Sequence, residues 1–239
     1  MKIIISPSKT QDFSGNISKK IQTPFFIKEA NEITDNIKRL SKEELGLMMK
    51  IKGKLLEKTY EDYENYDTTN TINHAISSYS GIVFKEINVK AFNEKDLDYA
   101  NDHLIILSAL YGILSPFDGI KPYRLDMKIK IGNISLYEFW KNKIENYFSK
   151  EDLIINLASN EFSKLIKLPM VTIDFKEEVD GKYKTIGTYA KQARGMMVNY
   201  LIKNNIEQFN KIKEFSMDRY VYNKELSSDK EIIFSRKKL

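Results

Sequence analysis

Met1-Lys2-Ile3-Ile4-Ile5-Ser6-Pro7-Ser8-Lys9-Thr10 opens the chain, and its reading decides the fold. An apolar run this short, closed by turn residues, reads as a buried strand. Pro7 has no backbone N–H and a fixed φ, so the strand stops and a polar loop follows. Loops at strand ends commonly carry binding groups. Ser6, Lys9 and Thr10 bring hydroxyls and a cation to this one, which suits a phosphate or another anion. An ordinary polar turn is the plainer alternative. Ser6 to Lys9 also fits the S-x-x-K pattern of acyl-enzymes. Pro7 inside it, and the lack of S-D-N or K-T-G elsewhere, argue against acyl transfer. The apolar core of the opening is too short for a signal peptide.

The same buried-strand pattern recurs at 104–108, 153–157 and 171–175, and residues 183–188 are expected to be extended. Helical spacing of apolar residues marks 28–40, 94–103, 136–148 and 189–203. Ser41-Lys42-Glu43-Glu44 is a capping box, so a helix should start at 42. It stops near Gly53, and a second helix follows. Residues 70–79 read as a short helix, 123–131 as extended, and 219–223 with 231–235 as a terminal hairpin. Strands and helices do not alternate as strict βαβ units. The expected class is therefore α+β: a mixed sheet surrounded by helices. No repeat, low-complexity tract or Pro/Gly linker interrupts residues 1–239, so one domain is expected.

Composition excludes several chemistries. The 239 residues contain no Cys, which rules out disulfides, thiolate nucleophiles, Fe–S clusters and thiolate zinc sites. Only two His are present, His74 and His103, and both read as structural. No metal or cofactor is called for. No apolar run reaches the ~18 residues of a membrane span, so a cytoplasmic protein is expected.

The net charge of +5 is modest, but it is segregated. Residues 182–203 hold Lys182, Lys184, Lys191, Arg194 and Lys203 and no acid. Lys121, Arg124, Lys128 and Lys130 cluster against Asp126 alone, whereas residues 57–67 set one Lys against five acids. If the basic segments meet, they form an anion-attracting cleft; separate solvated faces are the alternative. Arginine is scarce in this lysine-rich chain, so each one is a candidate for a place that needs a planar, bidentate donor, with a plain surface position as the alternative. Lys191 and Arg194 share one face at the start of a helix. That pair is costly unless an anion lies near.

Two further motifs matter. Lys50-Ile51-Lys52-Gly53-Lys54 joins two helices. In helix-hairpin-helix elements such a turn offers backbone N–H groups to a DNA phosphate. A second glycine usual in that motif is missing, and the following helix is acidic. A plain helical hairpin is the alternative. Asn156-Leu157-Ala158-Ser159-Asn160-Glu161 runs from strand to helix and places polar groups at a strand end.

MKIIISPSKTQDF, LSALYGILSPFDGIKPYRLDM, LYEFWKNKI, INLASNEF and YAKQARGMM occur in this order along the chain. Together they resemble the peroxide stress protein YaaA family, also designated UPF0246. The resemblance implies a one-domain fold with a basic cleft. It implies binding to duplex or distorted DNA, mainly through phosphates, with help from a helix-hairpin-helix-like element. It implies protection against peroxide by limiting free intracellular iron, and no established enzymatic reaction. Carried onto this chain, its segments mark Ser6, Lys9, Thr10, Tyr123, Arg124, Asn156, Ser159, Glu161, Lys191 and Arg194. The hairpin falls on Lys50, Lys52, Gly53 and Lys54. With no Cys and two separated His, any effect on iron should be indirect. A monomer is expected.

The rival class is an enzyme acting on a phosphorylated or nucleotide-like small molecule, with Lys9, Arg124, Lys191 and Arg194 as an anion clamp and Glu161 as acid–base. Glu161 is then expected beside the arginines as their hydrogen-bonding partner. A broad exposed basic face would favour DNA, and a concave site the enzyme. Because no linker divides the chain, one cooperative unfolding transition is expected. Two well-separated calorimetric transitions would contradict the one-domain reading.

Overall fold

The three opening isoleucines have no solvent exposure at all and form the middle of a sheet. A computed structural model of the chain describes residues 1–237. Strand β1 (Lys2–Ile5) is followed by helices α1 (Ile27–Lys38), α2 (Lys42–Met49) and α3 (Lys54–Glu64). The capping box at Ser41 is complete. Glu44 N donates to Ser41 Oγ at 3.2 Å, and Ser41 N donates to Glu44 Oε2 at 2.8 Å. Next come β2 (Asn73–His74), α4 (Ala75–Ser78), α5 (Ile82–Ile87) and α6 (Glu94–His103). Strands β3 (Leu104–Ser108), β4 (Gly112–Leu114) and β5 (Gly119–Ile120) follow. A small hairpin, β6 (Lys130–Ile131) with β7 (Ile134–Ser135), leads into α7 (Leu136–Phe148). The rest is β8 (Ile154–Asn156), α8 (Asn160–Ser163), β9 (Val171–Val179), β10 (Lys182–Lys184), α9 (Gly187–Lys203), α10 (Phe209–Ile212), β11 (Val221–Tyr222) and β12 (Glu231–Lys237).

The expected mixed sheet surrounded by helices is present, with eight strands. Its order is β11-β12-β9-β8-β1-β3-β4, and β10 pairs with the far end of β9. The five central strands run parallel, from β12 through β9, β8 and β1 to β3. The antiparallel strands β4 and β11 close the two edges. The hydrophobic pattern had shown the strands but not this parallel centre.

Three local expectations change. Within 70–79 only α4 is helical, because Asn73 and His74 pair with Ile120 and Gly119. Beyond β10 the chain turns early, and α9 already begins at Gly187, so 183–188 is not one strand. Residues 123–129 form no strand; pairing starts only at Lys130.

One glycine sets the packing that matters for the site. A Cβ on Gly195 would lie 2.4 Å from the Val83 carbonyl oxygen and 2.6 Å from Glu86 Cβ. Backbone therefore meets backbone where α9 crosses α5, which holds Lys191 and Arg194 against the segment that begins at Gly81. Gly195→Ala should force the helices apart at a cost of about 1–3 kcal/mol. The expected drop in Tm is roughly 2–12 °C, read by thermal melting.

Burial also shifts one acid. Asp118 is 4% exposed, and burial pushes its carboxyl up to about 6, although Ser115 N donates to Oδ2 at 2.8 Å. An unfolded Asp titrates near ~3.9. Between about pH 4 and 6 the folded chain thus keeps a proton that the unfolded chain has released. Stability from this group falls as pH rises through that window and is level above it. Asp118→Asn should remove that slope and raise stability at pH 7 by about 1–2 kcal/mol. Denaturant midpoints at pH 4, 5, 6 and 7 would test it.

Candidate anion-binding cleft

β1 has β3 on one side and β8 on the other, so the loops leaving the carboxyl ends of β1 and β8 diverge. In open sheets with parallel strands, such a reversal of strand order leaves a crevice at those ends. A cleft of about 410 Å³ opens there. That volume is within the range of small-ligand sites.

Ser6, Lys9, Thr10, Tyr123, Arg124, Ser159, Glu161, Lys191 and Arg194 all line this one cleft. Their segments are far apart in sequence, and the fold ties them together at named points. Ser159 N donates to Ser6 Oγ at 2.9 Å, and the two hydroxyls lie 3.1 Å apart. Lys9 Nζ donates to Asp126 Oδ2 at 2.8 Å. Tyr123 N donates to Gln11 Oε1 at 3.2 Å. Gly81 faces the β1 loop so closely that a Cβ would stand 2.4 Å from Ser8 Oγ.

Asn156 lies beneath the cleft, 4% exposed. Its Oδ1 accepts from Ala158 N at 2.9 Å, and its Nδ2 donates to Thr172 Oγ1 at 3.0 Å. It shapes the turn that presents Ser159 and does not line the cleft itself.

Tyr123 is buried with its hydroxyl between Tyr79 Oη at 2.6 Å and Ser108 Oγ at 2.8 Å. Ser108 Oγ already accepts from Leu110 N and Tyr111 N. Its own proton is therefore left to donate to Tyr123. Burial pushes the Tyr123 phenol up to about 12, and these two hydroxyls hold it from going further. It remains a neutral phenol in the cleft wall.

The cations are not equivalent. Lys9 is paired with Asp126, and Arg194 Nη2 lies 3.6 Å from Asp174 Oδ1. Among the described residues, Arg124 and Lys191 have no acid within ion-pair distance. Glu161 lines the cleft but is not the arginine's partner, contrary to expectation. Asp174 occupies that place, projecting from β9 while Thr185 Oγ1 donates to its Oδ2 at 2.9 Å. The ion pair is poorly aligned: Arg194 Nε and Asp174 Oδ1 are both buried without a hydrogen-bond partner. Buried polar atoms are rarely left this way, and each such case marks strain, a missing water or a ligand.

Sequence reasoning missed Asp174 and the α5 segment Ile82–Phe84, which also lines the cleft. Alternation along β9 could have found the first, since Asp174 falls on the less buried face beside Thr172 and Lys176. α5 is too short to show a period.

The hairpin stands elsewhere: Lys50, Lys52, Gly53 and Lys54 do not line the cleft. α2 and α3 pack against each other across the turn, as a helical hairpin should. Lys50 and Gly53 both adopt positive φ, 54° and 59°, which lets four residues reverse the chain. Acids of α3 and its end are neutralised locally: Glu57 by Lys42, Asp62 by Lys58 and Asp67 by Lys38. Among the described residues, Lys50, Lys52 and Lys54 have no acidic partner.

The model of the family described as "Peroxide stress protein YaaA" matches residues 1–226. The chain belongs to the peroxide stress protein YaaA family. Its relatives agree over their full length. A UPF0246 protein of Fusobacterium nucleatum is 46% identical over 99% of each chain. UPF0246 proteins of Clostridium beijerinckii and Agathobacter rectalis are each 39% identical, over 99% of this chain and 98% and 99% of theirs. No helix among the described residues is long and apolar enough to cross a membrane.

Proposed function

We propose that this member of the peroxide stress family binds DNA through phosphates, with the cleft and the hairpin as its two contact points. The observation that carries the reading is the cleft itself. Four cations from three separate segments, Lys9, Arg124, and Lys191 with Arg194, line one concavity, and two of them have no acid within ion-pair distance among the described residues. Arg194 lines the cleft with only a loose 3.6 Å ion pair to Asp174 and a buried Nε that meets no acceptor, so its guanidinium is incompletely satisfied. A phosphate suits such a planar fork. At about 410 Å³ the cleft admits a phosphate or one nucleotide, while a duplex must lie across its mouth. The free lysines of the hairpin and the uncapped start of α3 at Gly53 suit a second phosphate. Any influence on iron is indirect on this reading: DNA, not metal, is the ligand. A monomer in the cytoplasm would serve it.

The cleft's size also favours a second reading, an enzyme acting on a phosphorylated or nucleotide-like small molecule. There Glu161 is the acid–base candidate.

Fluorescence anisotropy with duplex, single-stranded and bubble DNA separates the two. Affinity should fall steeply with salt; about six phosphate contacts would imply roughly a thousandfold loss between 50 and 200 mM. Arg194→Lys should weaken binding about tenfold, since Lys cannot form the planar fork. Lys95→Ala, an exposed lysine outside the cleft, should leave it unchanged. Salt-insensitive binding, or none to any DNA form, would overturn the DNA reading. Saturable binding of a nucleotide without DNA binding would install the second.

A further inference from the structure

α3 and the cleft share no lining residue, yet one hydrogen bond joins them. Tyr63 Oη, near the carboxyl end of α3, donates to the backbone carbonyl of Arg124 at 2.9 Å. Tyr63 is 2% exposed, so water does not compete for that carbonyl. Three residues on, the carbonyl of Tyr66 accepts from Lys121 Nζ at 2.6 Å, and the same ammonium sits 5.0 Å from the Tyr66 ring centroid. Segment 121–124 is therefore held at both ends, at Arg124 by α3 and at Lys121 by the turn just after it. On its other side it is pinned to the β1 loop through Tyr123 N with Gln11 and, just beyond it, through Asp126 with Lys9. The segment is a bridge. It holds one of the two unpaired cations of the cleft, and its position is referred to the helix that carries the hairpin.

We infer that Tyr63 is a positioning residue that couples the α2–α3 hairpin to Arg124, so that hairpin and cleft grip one nucleic-acid ligand as a single device. The inference rests on the DNA reading above and adds to it a coupling between its two contact points. Burial raises the Tyr63 phenol well above its ordinary value, which keeps its proton in place as the donor. Without that bond the Arg124 carbonyl must find another donor, and the loop around it gains freedom. A guanidinium on a looser backbone loses more entropy when it meets a phosphate. The coupling has a direction: a ligand long enough to touch both points feels it, and a lone anion in the cleft feels only the loosening.

Tyr63→Phe keeps the ring and its packing and removes only the hydroxyl. Tyr66→Phe is the matched control. It deletes a buried phenol bond, 2.8 Å from Tyr66 Oη to Tyr111 Oη, without touching Arg124. The probes are a bubble duplex and inorganic pyrophosphate. For Tyr63→Phe, DNA affinity is expected to fall about tenfold, and the salt slope to shrink by about one, the signature of one lost phosphate contact. Tyr66→Phe should change neither. In wild-type protein, Lys52→Ala and Arg124→Ala should combine non-additively, and in the Tyr63→Phe background they should become additive. A merely structural tyrosine would lower Tm in both Phe variants alike and leave the salt slope alone. Unchanged DNA affinity in Tyr63→Phe, or additive losses in the wild-type background, would overturn the coupling while leaving the DNA reading intact. Wild-type protein that binds pyrophosphate but no DNA would overturn the reading instead. The coupling would fall with it, and weaker pyrophosphate binding in Tyr63→Phe but not Tyr66→Phe would then show only that Tyr63 positions Arg124.

Discussion

Everything in the cleft depends on β1 being paired on both sides by parallel strands. Ile3, Ile4 and Ile5 meet Leu104, Ile105 and Ile106 on one side. Lys2, Ile3 and Ile4 meet Ile154, Ile155 and Asn156 on the other. A parallel neighbour puts its carboxyl end at the same edge of the sheet. The loops that begin at Ser6 and at Leu157 must therefore emerge together and part from each other. The ladder continues one step past the strands, with Leu157 N donating to Ile4 O at 2.9 Å, and the serine pair Ser6–Ser159 closes the floor. A shift of β8 by one residue would turn Asn156 away from Thr172 and carry Ser159 from Ser6. Register and site are the same constraint.

Much of this was legible because it is local. The box Ser41 to Glu44 fixes where α2 starts, since two backbone N–H groups find their acceptors within four residues. α6, β3 and α7 occupy the spans their periodicity marks. The site residues were legible through the ordered segments that resemble a family, not through spacing. Nothing in Tyr189–Met197 alone says that its cations face Ser6. What was not legible is non-local. The acid beside Arg194 is a matter of which strand lies next to α9, and Glu161 looked the better partner only because it stands in a recognised segment. Asn73 and His74 look helical by composition and are extended because Gly119 and Ile120 offer them a ladder. Tyr63 reads as one more residue of an apolar helix face, and its hydroxyl acquires meaning only when Arg124 is folded against it.

The few arginines repay attention for the same reason. Arg236 is buried with Glu177, its Nε 3.0 Å from both carboxylate oxygens, and its guanidinium lies over the rings of Tyr220 and Tyr189. No ammonium could both stack and bond in that way. This cluster fastens the last strand to the start of α9, one turn before Lys191. A planar fork used for structure at one end of α9 and a fork left half unused in the cleft at Arg194 follow one rule. At these two positions arginine stands where geometry, not charge alone, is required.

On the DNA reading, the acids paired with two of the cleft's cations have a part in its selectivity. A guanidinium as enclosed as Arg194 needs a counter-charge when no ligand is present, because desolvating it alone is expensive. Asp174 supplies that charge, but at 3.6 Å and without satisfying Nε. A well-made Arg–carboxylate pair would be a poor receptor, since a ligand would have to break two aligned bonds to enter. A loose one keeps the cation in place and leaves its hydrogen bonding incomplete. An incoming anion must still outcompete a fixed carboxylate nearby, and Lys9 is shielded in the same way by Asp126. A singly charged, weakly accepting ion gains too little against those acids. A phosphate, with more charge and several acceptor oxygens, can engage Arg124 and Lys191, which have no acid to lose. On the DNA reading, the two acids act as a filter that keeps the cleft from filling with ordinary salt anions, and the two unpaired cations set the threshold that a phosphate passes.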